Sequence, residues 1–84
     1  MKELHWSEEK NEKLKKERGI SFEDIVAGRF LGIERNLSRD DQWLMVFEVE
    51  GYAWVVPYVD GGDHYFLKTA FASRKHTKIY LKRT

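Results

Sequence analysis

The sequence predicts an α+β domain with two N-terminal helices, a four-stranded antiparallel meander and a C-terminal helix. Three observations carry this. Helix start and stop signals crowd the chain up to Gly28. Two apolar alternating stretches, residues 43–50 and 52–59, meet at Glu50-Gly51 as a hairpin. A serine-led basic stretch runs from Ser73 to Lys82. At 84 residues the chain is one domain, residues 1–84, without linker, repeat or low-complexity segment. Hydrophobic residues make up 42%, which is enough for a core and sets global disorder aside. A chain of this size buries only about 60–65% of its unfolded surface, so its stability is modest and a partner can add to it.

The first helix spans Ser7 to Arg18. The Ser7 hydroxyl can accept from free first-turn amides. Glu8 and Glu9 sit at the positive end of the helix dipole, and Lys13, Lys15, Lys16 and Arg18 at the negative end. Gly19 suits the left-handed residue that ends a helix. Leu14 is its only strong apolar residue, so the helix lies on the surface, held by Leu14, Trp6 and Ile20. The second helix, Phe22 to Ala27, starts at Ser21, which has capping-box spacing to Asp24. Phe22, Ile25 and Val26 share its apolar face, and Gly28 ends it. The strands are Phe30–Glu34, Trp43–Glu50, Tyr52–Val59 and His64–Phe71. In the second, Trp43, Met45, Phe47 and Val49 share one face while Leu44 and Val46 begin another, which places that strand centrally. Pro57 cannot donate to a ladder, so the end of the third strand is an edge or a bulge. Asn36–Asp41 is a polar loop and Asp60-Gly61-Gly62-Asp63 a turn. The last helix runs from Ser73 to Lys82.

Composition excludes several functions. No cysteine is present, so neither a disulfide framework nor a thiolate zinc site can form. No apolar run approaches the length of a membrane span. Residues Met1 to Ser7 carry no signal-peptide pattern, so a soluble cytoplasmic protein is expected. His5, His64 and His76 are too scattered for a metal site, and no helix follows Gly61-Gly62 to make a phosphate loop. Neither metal nor cofactor is expected. The formal net charge of +1 conceals an asymmetry. Residues 1–67 hold nine Lys/Arg against fourteen Asp/Glu, whereas Lys68, Arg74, Lys75, Lys78, Lys82 and Arg83 follow with no acid. Such an end is either a solvated helix face or the seat of an anionic partner, nucleic acid or phosphate among them.

The N-terminal third, Trp6-Ser7-Glu8-Glu9-Lys10-Asn11 and then Glu17-Arg18-Gly19-Ile20-Ser21-Phe22-Glu23, resembles the BrnT family of bacterial toxins. That family opens on Trp-Asp-x-x-Lys and continues to Lys-His-Gly-Val/Ile-x-Phe. The resemblance implies a RelE/ParE-like fold, cleavage of mRNA without a metal, and a cognate antitoxin that covers the active site. It is good over residues 6–23 and loose over 64–80. Ser7 stands where the family has Asp, and Glu17-Arg18 where it has Lys-His. The family's Ser-Ala-Arg falls on Lys68-Thr69-Ala70, so Ala70 replaces the arginine, with Arg74, Lys75 and Tyr80 in the basic helix.

Metal-free RNA cleavage needs a base for the ribose 2′-hydroxyl, cations on the charged transition state and an acid for the leaving oxygen. Arg74 is the first choice for the cation, since its planar fork binds two phosphate oxygens, with Lys68 and Lys75 in support. His76 and Tyr80 lie one turn apart on the last helix, as do Arg74 and Lys78. His76 can carry a proton near neutrality or be a plain exposed residue. Tyr80 can position substrate or donate a proton, or pack its ring on the sheet beside Ile79. His64, Phe66 and Lys68 share one face of a strand. There Phe66 either stacks an RNA base or packs under the first helix, and His64 is either an RNA contact or a solvated loop-end residue. Lys75, Lys78, Lys82 and Arg83 complete the expected RNA-binding surface. Two functions follow: an RNA-cutting toxin, or a non-catalytic interaction protein whose basic end docks an acidic antitoxin segment or nucleic acid. A small α+β domain of unrelated function is the third.

Overall fold

The computed structural model describes residues 2–82. Along the chain run β1 (Glu3–Trp6), α1 (Glu8–Arg18), α2 (Phe22–Val26), β2 (Arg29–Arg35), β3 (Trp43–Val49), β4 (Tyr52–Asp60), β5 (His64–Leu67), β6 (Phe71–Ala72) and α3 (Arg74–Leu81). The strands form one sheet in the order β1-β5-β4-β3-β2, with β6 also beside β4.

The helix signals act as their chemistry requires. Ser7 Oγ accepts from the Lys10 amide at 3.3 Å, and Gly19 closes α1 at φ 69°. Ser21 and Asp24 exchange both bonds of a capping box. Asn11, fully buried, joins the two helices. Its side-chain amide donates to Glu23 at 2.7 Å, and its carbonyl accepts from the Phe22 N–H at 2.8 Å. A helix with one strong apolar residue is thus held partly by a buried polar clamp.

Alternation in β3 and β4 sorts two cores. Met45 and Phe47 with Val56 and Tyr58 pack against Leu14 of α1 and Phe22 and Ile25 of α2. Val46 with Ala53 and Val55 faces the other way, where Leu31, Leu44 and Tyr80 cover them. The N-terminal helices therefore cover one face of the sheet and α3 the other. Among the described residues no helix is long and apolar enough to cross a membrane.

Two expectations need correction. The sheet is not a four-stranded antiparallel meander. Residues 3–6 form β1, which pairs with β5 in parallel from Glu3↔His64 to Trp6↔Leu67. Leu4 and Trp6 pack into the larger core while Glu3 and His5 face outward, an alternation too short to separate from a polar lead-in. The strand expected over His64–Phe71 is also broken. Opposite β4, Tyr58 pairs with Leu67 and Val55 with Phe71, so this segment carries one residue more than its partner. That is a bulge at Lys68–Ala70, and Pro57 lies opposite it, its carbonyl accepting from Lys68 N at 2.8 Å. The missing proline donor thus coincides with a bulge, in a strand that is central rather than an edge.

Candidate functional site

Ser73 starts α3 and sets the site. Its Oγ accepts the His76 backbone N–H at 3.1 Å and lies 2.6 Å from His76 Nδ1. His76 and, one turn on, Tyr80 both reach Glu34 on β2. His76 Nε2 is 3.1 Å from Glu34 Oε1, and the Tyr80 hydroxyl donates to Glu34 Oε2 at 2.7 Å. The imidazole and phenol rings stack at 6.3 Å with 9° between their planes. The His76 side chain is only 11% exposed. The Tyr80 ring can lie flat on β2 because residue 32 is glycine: a Cβ there would come within 3.2 Å of the ring. Thr77 completes the docking, accepting from the Ala53 N–H at 2.9 Å.

The hydrogen bonds set the protonation pattern. The Tyr80 phenol, and secondarily His76, hold the Glu34 carboxyl below its usual range against the effect of burial, with the Lys75 charge adding to the shift. An ionised carboxylate only accepts, so Nε2 of His76 carries a proton. In the neutral imidazole Nδ1 is then the acceptor, directed at the Ser73 hydroxyl. Burial and the bond to Glu34 push Tyr80 up to about 12. Its contribution to stability is full below the ordinary tyrosine value of about 10 and is lost as pH rises through about 12. Ultraviolet titration of tyrosinate is therefore expected to show a late component near 12 that Tyr80→Phe removes. A profile unchanged by the substitution would contradict the Glu34 contact.

Glu34, His76 and Lys75 line an open groove of about 390 Å³, together with Leu37, Leu44 and Phe71. The structure therefore brings His76 and Tyr80 together on Glu34, and Lys75 to the groove beside His76. It does not add Arg74, which is exposed at the first turn of α3 and absent from the groove wall. Lys78 and Lys82 are exposed on or just beyond the same helix. Arg83 lies outside the described residues. Among the described residues Lys68, Arg74, Lys75, Lys78 and Lys82 form no ion pair.

The β5 residues form a separate cluster. Lys68 Nζ lies 5.5 Å from the Phe66 ring centroid, and His64 stacks on His5 at 4.4 Å with its Nδ1 on Asp63. Tyr65 and Leu67 pack in the core below α1 and α2, so Phe66 faces away from α1 rather than packing beneath it. Glu34 was missed by sequence reasoning. It closes a strand and carries no local signal, because its partners are 42 and 46 residues away.

A second, smaller pocket of about 130 Å³ opens on the other face of the sheet, between α1 and the bulge. Lys10, Lys13, Glu17, Arg18, Phe22 and Thr69 border it, so residues from the 6–23 stretch that carries the sequence resemblance meet Thr69, on which the middle of the family's tripeptide falls. Ala70 is 1% exposed and part of the core, so a methyl group fills the place where the resemblance calls for arginine. Among the described residues no cluster of three His, Cys, Asp or Glu could hold a metal ion.

These features define a small α+β protein with a mixed sheet between two helical layers and an acid–imidazole–phenol cluster beneath its C-terminal helix. Its fold is similar to that of BrnT, the ribonuclease toxin of Brucella abortus, whose crystal structure matches with a TM-score of 0.58 over 87% of this chain and 97% of that one. The two are 14% identical, so the likeness is one of fold. No protein-family model and no curated protein matches the sequence.

Proposed function

We propose that this chain is the toxin of a bacterial toxin–antitoxin pair, a metal-independent endoribonuclease acting on mRNA in the cytoplasm. The observation that carries the reading is the His76–Glu34 pair, 3.1 Å apart at a groove that Lys75 also lines, on a fold similar to that of a ribonuclease toxin. A ribose 2′-hydroxyl takes the place of the Ser73 hydroxyl at Nδ1 of His76 and gives up its proton there. Glu34, accepting from Nε2–H, stabilises the imidazolium that forms. Lys75, with the amides of residues 74 and 75 at the start of α3, holds the phosphate, and Arg74, outside the groove wall, adds charge from the exposed side of the helix. The O2′–P bond forms, the P–O5′ bond breaks, and the leaving oxygen takes a proton from the Lys75 ammonium. The products are a 2′,3′-cyclic phosphate and a 5′-hydroxyl. In this scheme Tyr80 braces Glu34, because its hydroxyl proton is committed to Glu34 Oε2 and the residue does not line the groove. Lys68 lies outside the groove, in the bulge that follows β5, and contributes only long-range charge.

Two observations favour a second reading, a binding module that docks an acidic antitoxin segment on the same cations. Ala70 is buried where the resemblance calls for arginine, and both nitrogens of His76 are already engaged. The test is to incubate purified protein with mRNA in the presence of a chelator and to map the ends. Cyclic phosphate termini are expected, with growth arrest on expression. Intact RNA beside well-folded protein would remove the nuclease and leave the binding module.

A further inference from the structure

The two pockets open on either side of one short strand. Thr69 borders the α1 pocket and Phe71, two residues on, lines the α3 groove. Among the described strands β6 pairs only with β4, so its outer edge is open. Charge on α1 is segregated with respect to this edge. Lys10, Lys13 and Arg18 border the pocket beside a single acid, Glu17, whereas Glu8, Glu9 and Glu12 do not line it; of the other two lysines of α1, Lys15 is paired to Glu12 and Lys16 does not line it either. Phe71 is 37% exposed, a large aromatic on the rim of the groove that holds His76.

We propose that a single strand of RNA crosses the β6 edge, with a base stacked on Phe71 and neighbouring phosphates held by Lys10 and Lys13 in the α1 pocket. The inference rests on the RNA-cleaving reading above and gives it a substrate class, single-stranded rather than duplex. Two physical arguments select it. A duplex is stiff over many base pairs and cannot bend around a strand two residues long, whereas a single strand can. A base inside a duplex also offers no free face to an aromatic side chain. Cations on one side of the edge and an aromatic on the other are the combination that single-strand binders use, charge for the backbone and a ring for the base.

The experiment uses the full chain and a single-stranded RNA oligonucleotide, 2′-O-methylated throughout so that it cannot be cut, with one 2-aminopurine. Anisotropy reads affinity and quenching reads stacking. Lys10→Ala with Lys13→Ala is expected to weaken binding about five- to tenfold near physiological salt. The slope of log affinity against log salt is expected to flatten by about 0.7 for each phosphate no longer neutralised. Phe71→Ala is expected to weaken binding about tenfold and abolish the quench, while Phe71→Tyr keeps both. Lys15→Ala serves as the comparison and is expected to bind as wild type. Thermal melts confirm that each variant is folded. Phe71→Ala binding and quenching as wild type would overturn the path, as would equal affinity for duplex RNA. Poly-aspartate binding as tightly as RNA would point to an acidic protein partner and overturn it too. If wild type cuts unmodified RNA while these variants bind normally, the path alone falls; if wild type neither binds nor cuts RNA, the nuclease reading falls with it.

Discussion

Alanine at position 76 is expected to lower the rate of RNA cleavage by about 10²–10⁴-fold, the range removed with a general base. The imidazole is the one group in the groove that combines an acceptor nitrogen with a fixed orientation. Glu34 fixes it from one side and the α3 N-cap from the other. Lys78→Ala, on an exposed position of the same helix, is expected to cost far less. Glu34→Gln separates orientation from charge. Glutamine keeps an oxygen for Nε2–H or the Tyr80 hydroxyl but cannot stabilise an imidazolium, so a loss smaller than that of His76→Ala is expected. The same variant has a signature in stability. The Glu34 carboxyl is held below its ordinary range, so its contribution to folding is present above that range and lost as pH falls through the lowered value. Glu34→Gln is expected to remove this acid-side loss, measured by chemical denaturation across the acid range. A folded His76→Ala that cuts RNA at the wild-type rate would make the imidazole a brace for α3 and remove it from the chemistry.

Local signals were legible because their physics is local. The caps at Ser7, Gly19 and Ser21 depend on side chains within three residues and on one glycine, and each forms as expected. The two-faced pattern of β3 identified a central strand, and its two sides do face two different cores. The parallel strand β1 was not legible. Four residues with two apolar side chains look like an unstructured lead-in, and the partner that makes them a strand, His64–Leu67, is some sixty residues further on. The bulge at Lys68–Ala70 was half legible: Pro57 announced a ladder defect but not which neighbour would absorb it. In the site, the i, i+4 spacing of His76 and Tyr80 was readable, and their stacking follows from it. Their shared acceptor, Glu34, depends on β2 crossing beneath α3, which no local pattern encodes.

Truncating Phe22 to alanine is expected to destabilise the fold by about 3–5 kcal/mol, the usual cost of removing a buried aromatic. The whole chain has about 4–13 kcal/mol to lose, at about 0.05–0.15 kcal/mol per residue. The cost is high here for three reasons. The ring is fully buried, so its removal leaves a cavity rather than a wetted notch. It stacks on Trp6 at 5.6 Å and so ties β1 to α2. Its backbone N–H is one of the two bonds that hold buried Asn11, so a shift of the α2 start also loosens the α1 clamp. At about 4–8 °C per kcal/mol for a domain of this size, the melting temperature is expected to fall by well over about 10 °C. Leu37→Ala, 93% exposed, is the comparison and is expected to stay within about 0.5 kcal/mol of wild type. Circular dichroism melts decide the matter. A Phe22→Ala protein that melts with the wild type would mean that the N-terminal helices are not anchored through this ring, and the weight would shift to Leu14 and Ile25. A large loss would instead place much of the chain's stability in the α1–α2 layer, on the face of the sheet opposite α3.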